Sequence, residues 1–317
     1  MNKNEKLEAQ PKLEVVDDRF YELVDKDAVI EVLSEGYVWS EGPLWVPDLD
    51  ALLFSDIPPN EIHIWKEGEG AKLFLKPSGY TSDVQRGGEV GSNALLLNAQ
   101  NELVICQHGN RQMAKMNAPL TSPKADFITI ADRFKGKRFN SPNDAVYHSN
   151  GSLYFTDPPY GLEKGMDDPS KEIDFQGVYR VDPDGTVSLV TKSLSRPNGL
   201  AFNHDETLLY IANSDPKKAI WNIYDVDKAG HVSNERLFVD VTDQVGQAKG
   251  LPDGMKIDPD GNIFATGPGG VLIFTADGIH LGTINTGQTT SNCAFGGKDM
   301  DYLYMTADGY LMRVKLG

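Results

Sequence analysis

One figure returns six times along the chain: a polar residue, followed four positions later by an apolar one. It occurs from Glu41 to Trp45, Asn93 to Leu97, Asn143 to Tyr147, Asn198 to Phe202, Asp253 to Ile257 and Ser291 to Phe295. A turn follows each copy, as at Pro47-Asp48, Asn150-Gly151 and Asp260-Gly261, and a second run then opens on Leu, Ile or Tyr. Each copy therefore predicts a β-hairpin. Six copies spaced 38 to 55 residues apart predict an all-β chain, a six-bladed β-propeller with four strands per blade.

The third strands are expected at residues 61–65, 112–116, 177–181, 220–224, 270–274 and 310–314, with fourth strands at 72–75, 127–130, 187–190 and 236–239. The last blade has only three strands before Gly317. Its fourth is expected from the β-prone residues 29–33, so that an N-terminal strand closes the ring and removes two exposed edges. Residues 1–27 form an N-terminal extension lying on the ring, and removing residues 1–20 is expected to be mild. Residues 28–317 are a single domain.

Composition narrows the function. With 31 Gly and 18 Pro the chain suits many turns better than long helices. A formal charge of −16 opposes binding to nucleic acid or to an anionic membrane, because the surplus of Lys and Arg is missing. No run approaches the roughly 18 apolar residues of a membrane span, and the first eleven residues lack the apolar core of a secretory signal. A soluble protein is expected, with cytoplasm and periplasm both open. Cys106 and Cys293 are too few for a disulfide scaffold and lie in expected strands, as buried thiols. Asp225-Val226-Asp227-Lys228-Ala229-Gly230 imitates the start of a calcium loop. It has Ala229 and Arg236 where the fifth and twelfth ligands belong, so it reads as a turn.

In a propeller the first strand of each blade lines the central channel, and the six leading polar residues form a ring at its mouth. That ring is Glu41, Asn93, Asn143, Asn198, Asp253 and Ser291, all oxygen-bearing. An Asn or Asp before a small residue is explained singly by turn chemistry. Turn chemistry does not require Glu41, and Glu41, Asn143, Asn198 and Asp253 at matched positions in four blades suit a hard cation, calcium above magnesium or zinc. Three long loops, residues 76–91, 158–176 and 242–250, emerge on the same face and are expected to wall a pocket there.

Ser40-Glu41-Gly42-Pro43-Leu44-Trp45, Ser141-Pro142-Asn143-Asp144, Thr156-Asp157-Pro158-Pro159-Tyr160-Gly161, Arg196-Pro197-Asn198-Gly199 and Leu251-Pro252-Asp253-Gly254 carry a resemblance to a known family. The chain resembles the gluconolactonase, senescence marker protein and regucalcin propellers, and bacterial gluconolactonases in particular, over nearly its whole length from about Val32. The resemblance implies that Glu41, Asn143, Asn198 and Asp253 hold a divalent metal and that Asp253 is also the catalytic acid or base. It departs at Ser141, where animal members carry a substrate-binding Arg, which leaves the sugar open.

Hydrolysis of a sugar lactone follows as the expected activity, with calcium polarising the ester carbonyl and water attacking it. Asp253 is the expected base, ahead of Glu41 and His108. Asn93, His108 and Tyr160 are expected to touch substrate, His108 because it follows a second strand at the level of Asp157 and Asn213. No Gly-x-Ser-x-Gly elbow or Gly-rich phosphate loop occurs. The alternatives are a phosphotriesterase-like hydrolase on the same metal and a calcium-dependent binding propeller without catalysis.

Overall fold

Leu52, Leu53 and Phe54, or Leu103, Val104, Ile105 and Cys106, leave no alternate position for a solvated face, so strands built from them must be covered on both sides. In the computed structural model, which describes residues 10–317, every one of these side chains is fully buried. Six antiparallel sheets provide the cover. Their first strands are Ser40–Val46, Ser92–Leu97, Ala145–Tyr147, Pro197–Phe202, Met255–Ile257 and Thr290–Gly296. Each first strand packs against the first strand of the next blade, and the sixth returns to the first, closing a six-bladed propeller.

The apolar core is divided accordingly into six clusters, one between each pair of neighbouring blades. Cys106 belongs to the cluster between blades two and three and Cys293 to that between blades five and six, both as buried free thiols. Because the two faces of a blade belong to different clusters, burial of the second strands stabilises two interfaces at once.

Ring closure is made by Glu31–Glu35, which pairs antiparallel with Tyr310–Lys315 and supplies the fourth strand of blade six. The closing strand therefore lies two residues later than the apolar run at 29–33 suggests. Its first residue is opposite Arg313, whose Nε donates to Glu31 Oε2 at 2.7 Å, so an ion pair rather than apolar alternation marks the register.

Residues 1–9 lie outside the described residues, but the rest of the extension is built into the ring. Lys12–Val15 pairs with His280–Asn285 as a fifth, outermost strand of blade five. Phe20 and Val24 are completely buried in the cluster between blades five and six. The burial of Phe20 opposes the expectation that removing residues 1–20 is mild, because loss of its ring would leave a cavity in that interface. A two-stranded hairpin, Arg133–Phe134 with Lys137–Arg138, is a further feature the repeat does not contain. Among the described residues, no helix is long and apolar enough to cross a membrane.

Candidate functional site

The leading polar residues are aimed by irregular backbone. In blades one, two, four and six the pairing of the first strand with the second shifts register around the leading residue, between Glu41 and Leu44, Ser92 and Leu95, Pro197 and Leu200, and Thr290 and Asn292. Such bulges turn a strand end and redirect its side chains. In blades three and five the regular first strand begins after Asn143 and Asp253, which sit in the extended segment leading to it. The small residue that follows is a packing requirement. A Cβ at Gly199 would fall 2.1 Å from Asp253 O and one at Gly42, which has φ +54°, 2.3 Å from Asn93 O.

A repeated clamp holds the entry to these segments. Asp56, at the end of its second strand, accepts from the N–H groups of Val38 and Trp39 at 3.0 to 3.2 Å. Asp157 accepts from Asn140 and Ser141 at 2.8 and 2.7 Å, and Asn213 Oδ1 from Arg196 at 2.8 Å. Blade two has Gln107 at this position, paired with Ser92 as Asp56 is with Ser40. The residue level with Asp157 and Asn213 is therefore Gln107, not His108 as the sequence suggested.

Above the channel lies a cavity of about 410 Å³, walled by Glu41, Asn93, Asn143, Asn198 and Asp253 from the ring. All three long loops reach it, through Glu89, Tyr160 and the stretch containing Val245, Gly246, Ala248 and Gly250. Ser291 does not line it, because its hydroxyl is occupied with Ser40 O at 2.8 Å. The expected six-oxygen ring is thus five-sided at the cavity. His108 does not line it either. Its ring is fully buried, with Nδ1 3.5 Å from Glu89 Oε2.

The electrostatics of the cavity floor are those of uncompensated oxygen. Burial, reinforced by the Asp144 and Glu89 carboxylates, pushes Glu41 up to about 8, although its Oε2 accepts from Gly42 N–H at 2.8 Å. Burial, then Glu41, Asp144 and Glu89, raises Asp253 well above the ordinary carboxylate range. Asn93 Oδ1, Asn198 Oδ1 and Asp253 Oδ1 are buried and have no hydrogen-bond partner. Unpaired buried acceptors are costly, and a cation is the ligand that satisfies several at once. Among the described residues no three His, Cys, Asp or Glu side chains gather as a metal cluster, so such a site depends on amide oxygen beside two carboxylates.

Several residues at the site were not singled out from the sequence. Ser214 accepts from Asn198 Nδ2 at 2.9 Å, donates to the Pro252 carbonyl and is hydrogen-bonded to Tyr160. Asp144 is buried beneath the ring, raised by burial and opposed by the charge of Lys256. Glu89 comes from a loop whose composition does not set it apart from its neighbours. Ser214 carries no signal in the sequence, whereas Asp144 follows Asn143 directly in Ser141-Pro142-Asn143-Asp144.

Comparison with known proteins agrees with this architecture. Residues 39–309 match the SMP-30/Gluconolactonase/LRE-like region. A gluconolactonase of Zymomonas mobilis is 42% identical over 301 residues, covering 92% of this chain and 83% of that protein. A pentonolactonase of Haloferax volcanii is 28% identical over 286 residues, covering 89% and 85%. Among solved structures, a gluconolactonase of Xanthomonas campestris superposes with a TM-score of 0.82 at 29% identity, over 98% of this chain and 96% of that one. With the six blades, the cavity at the channel mouth and a family match across both, the chain belongs to the SMP-30/gluconolactonase/LRE-like family.

Proposed function

We propose that this protein is a lactone hydrolase acting on sugar lactones, and that its cavity holds one divalent cation, with calcium favoured, through Glu41, Asn143, Asn198 and Asp253. The observation that carries the reading is the convergence of unpartnered Asn198 Oδ1 and Asp253 Oδ1 with buried Glu41 in one cavity. The gluconolactonase and pentonolactonase relatives support the substrate class. Mixed carboxylate and amide oxygen without His or Cys fits calcium better than zinc. A cation bound there would polarise the ester carbonyl and oppose the negative charge that develops on its oxygen.

The chain's own groups supply the rest. Asp253 accepts the proton of the attacking water, its carboxylate standing in the cavity wall with Oδ1 unpartnered. Asn198, tied through Nδ2 to Ser214, leaves its Oδ1 unpartnered. Asn93 and Tyr160 line the wall where the sugar lies, and Val245, Gly246, Ala248 and Gly250 of the 242–250 stretch line the cavity with them.

The test is turnover of a panel of aldonolactones and of a phosphotriester, with and without chelator. Lactone turnover abolished by chelator supports the proposal, and triester turnover alone points to a phosphotriesterase. Calcium binding without any turnover points to a binding propeller.

A further inference from the structure

The cavity contains a third carboxylate that the cation-binding set leaves unused. Glu89 stands near the end of loop 76–91, and its side chain is 37% exposed in the cavity wall. Both ends of the loop are fastened. Asn60 Oδ1 accepts from the N–H groups of Ser78, Gly79 and Tyr80 at 2.7 to 3.1 Å, and Gly91 N–H donates to Ile57 O at 2.9 Å. Behind Glu89 stands His108, completely buried, with Nδ1 3.5 Å from Glu89 Oε2 and neither ring nitrogen hydrogen-bonded. A buried imidazole with two unsatisfied nitrogens is costly, and a carboxylate at this distance completes a hydrogen bond by a shift of about half an ångström.

We infer that Glu89 is a specificity-determining residue, whose carboxylate accepts hydroxyl groups of a polyhydroxylated substrate while His108 behind it is a positioning residue. Ionised carboxylates make strong charge-assisted bonds to hydroxyl donors. The proton-accepting and cation-binding roles belong to residues at or just before the leading ends of the channel-lining strands, whereas Glu89 lies on a loop over the cavity. The inference rests on the lactone-hydrolase reading for its kinetic arm only.

The experiment compares the unmutated protein with Glu89→Ala, Glu89→Gln and His108→Ala on D-glucono-1,5-lactone and on unsubstituted δ-valerolactone, with D-glucitol binding by calorimetry as an activity-independent arm. Glu89→Ala should lower kcat/KM for the hydroxylated lactone about 10- to 100-fold, mainly through KM. It should change δ-valerolactone turnover less than about twofold and weaken D-glucitol binding about tenfold. Glu89→Gln should recover part of both losses, and His108→Ala should share their direction. Equal loss on both lactones overturns the inference in favour of a role in proton transfer. Unchanged D-glucitol binding in Glu89→Ala, or none by the unmutated protein, also overturns it. If the unmutated protein hydrolyses neither lactone, the lactone-hydrolase reading fails by itself and the D-glucitol titration still decides the role of Glu89.

Discussion

Asn198 donates through Nδ2 to Ser214 Oγ at 2.9 Å and is also hydrogen-bonded to the Asp253 side chain, while its Oδ1 is buried without a partner. Ser214 is itself held by donating to Pro252 O, one residue before Asp253. One hydroxyl thus ties the amide of blade four to the segment that carries the carboxylate of blade five.

Loss of that hydroxyl should be felt in cation binding. Outer-shell partners typically account for 10- to 100-fold in metal affinity. Ser214→Ala should weaken calcium binding by about that factor in calorimetry, and Ser214→Thr should restore most of it. Unchanged affinity in Ser214→Ala would mean that the amide is oriented by something else.

The buried carboxylates predict a pH dependence of stability in the cation-free protein. Glu41 is pushed to about 8 in the fold, against an ordinary value near 4.5 in the unfolded chain. The folded state therefore favours the protonated form, and this contribution is full below pH 4.5 and lost as pH rises through about 8. Asp253 shifts in the same direction. In chelator the Tm should fall between pH 5 and 8, and saturating calcium should flatten the slope. A Tm that rises over this window in chelator would show that Glu41 is ionised without a cation.

Phe20 tests the extension. Its side chain is completely buried against blades five and six, and truncating a buried Phe costs about 3–5 kcal/mol. Phe20→Ala should lower stability by that order in denaturant titration. Deletion of residues 1–35 should cost more, because it also removes the closing strand Glu31–Glu35. Equal midpoints for Phe20→Ala and the unmutated chain would mean that the extension is detached in solution.

Asp253→Asn separates two roles assigned to one residue. It keeps an oxygen ligand and removes the base, so calcium should still bind while lactone turnover drops by a factor of roughly 10² to 10⁴. Near-normal turnover at saturating calcium would move the proton to Glu41 or another group.

The fold was legible because the repeat is written twice, in the leading polar residues and in the apolar second strands that two interfaces cover. The five leading residues that reach the cavity were legible for the same reason. Ser291 offers the same chemistry as its counterparts, and the proximity of Ser40 O and of Thr306 turns its hydroxyl away. The strand Lys12–Val15 is too short and mixed to announce itself, being an edge added to blade five. His108 was misplaced by one residue, since second-strand ends differ in length and only the pairing of Ser92 with Gln107 fixes the level. Glu89 and Ser214 are brought to the site by a loop path and a strand end, which no local pattern encodes.

The most direct measurement is lactone turnover during titration of calcium into chelator-stripped protein, with bound metal counted in the same samples. Activity should be negligible at the start above the spontaneous rate, rise with occupancy and level off at about one calcium per chain. Glu41→Gln and Asn198→Ala should shift the curve to higher calcium. Full turnover by protein shown to contain no divalent metal would contradict the proposed site.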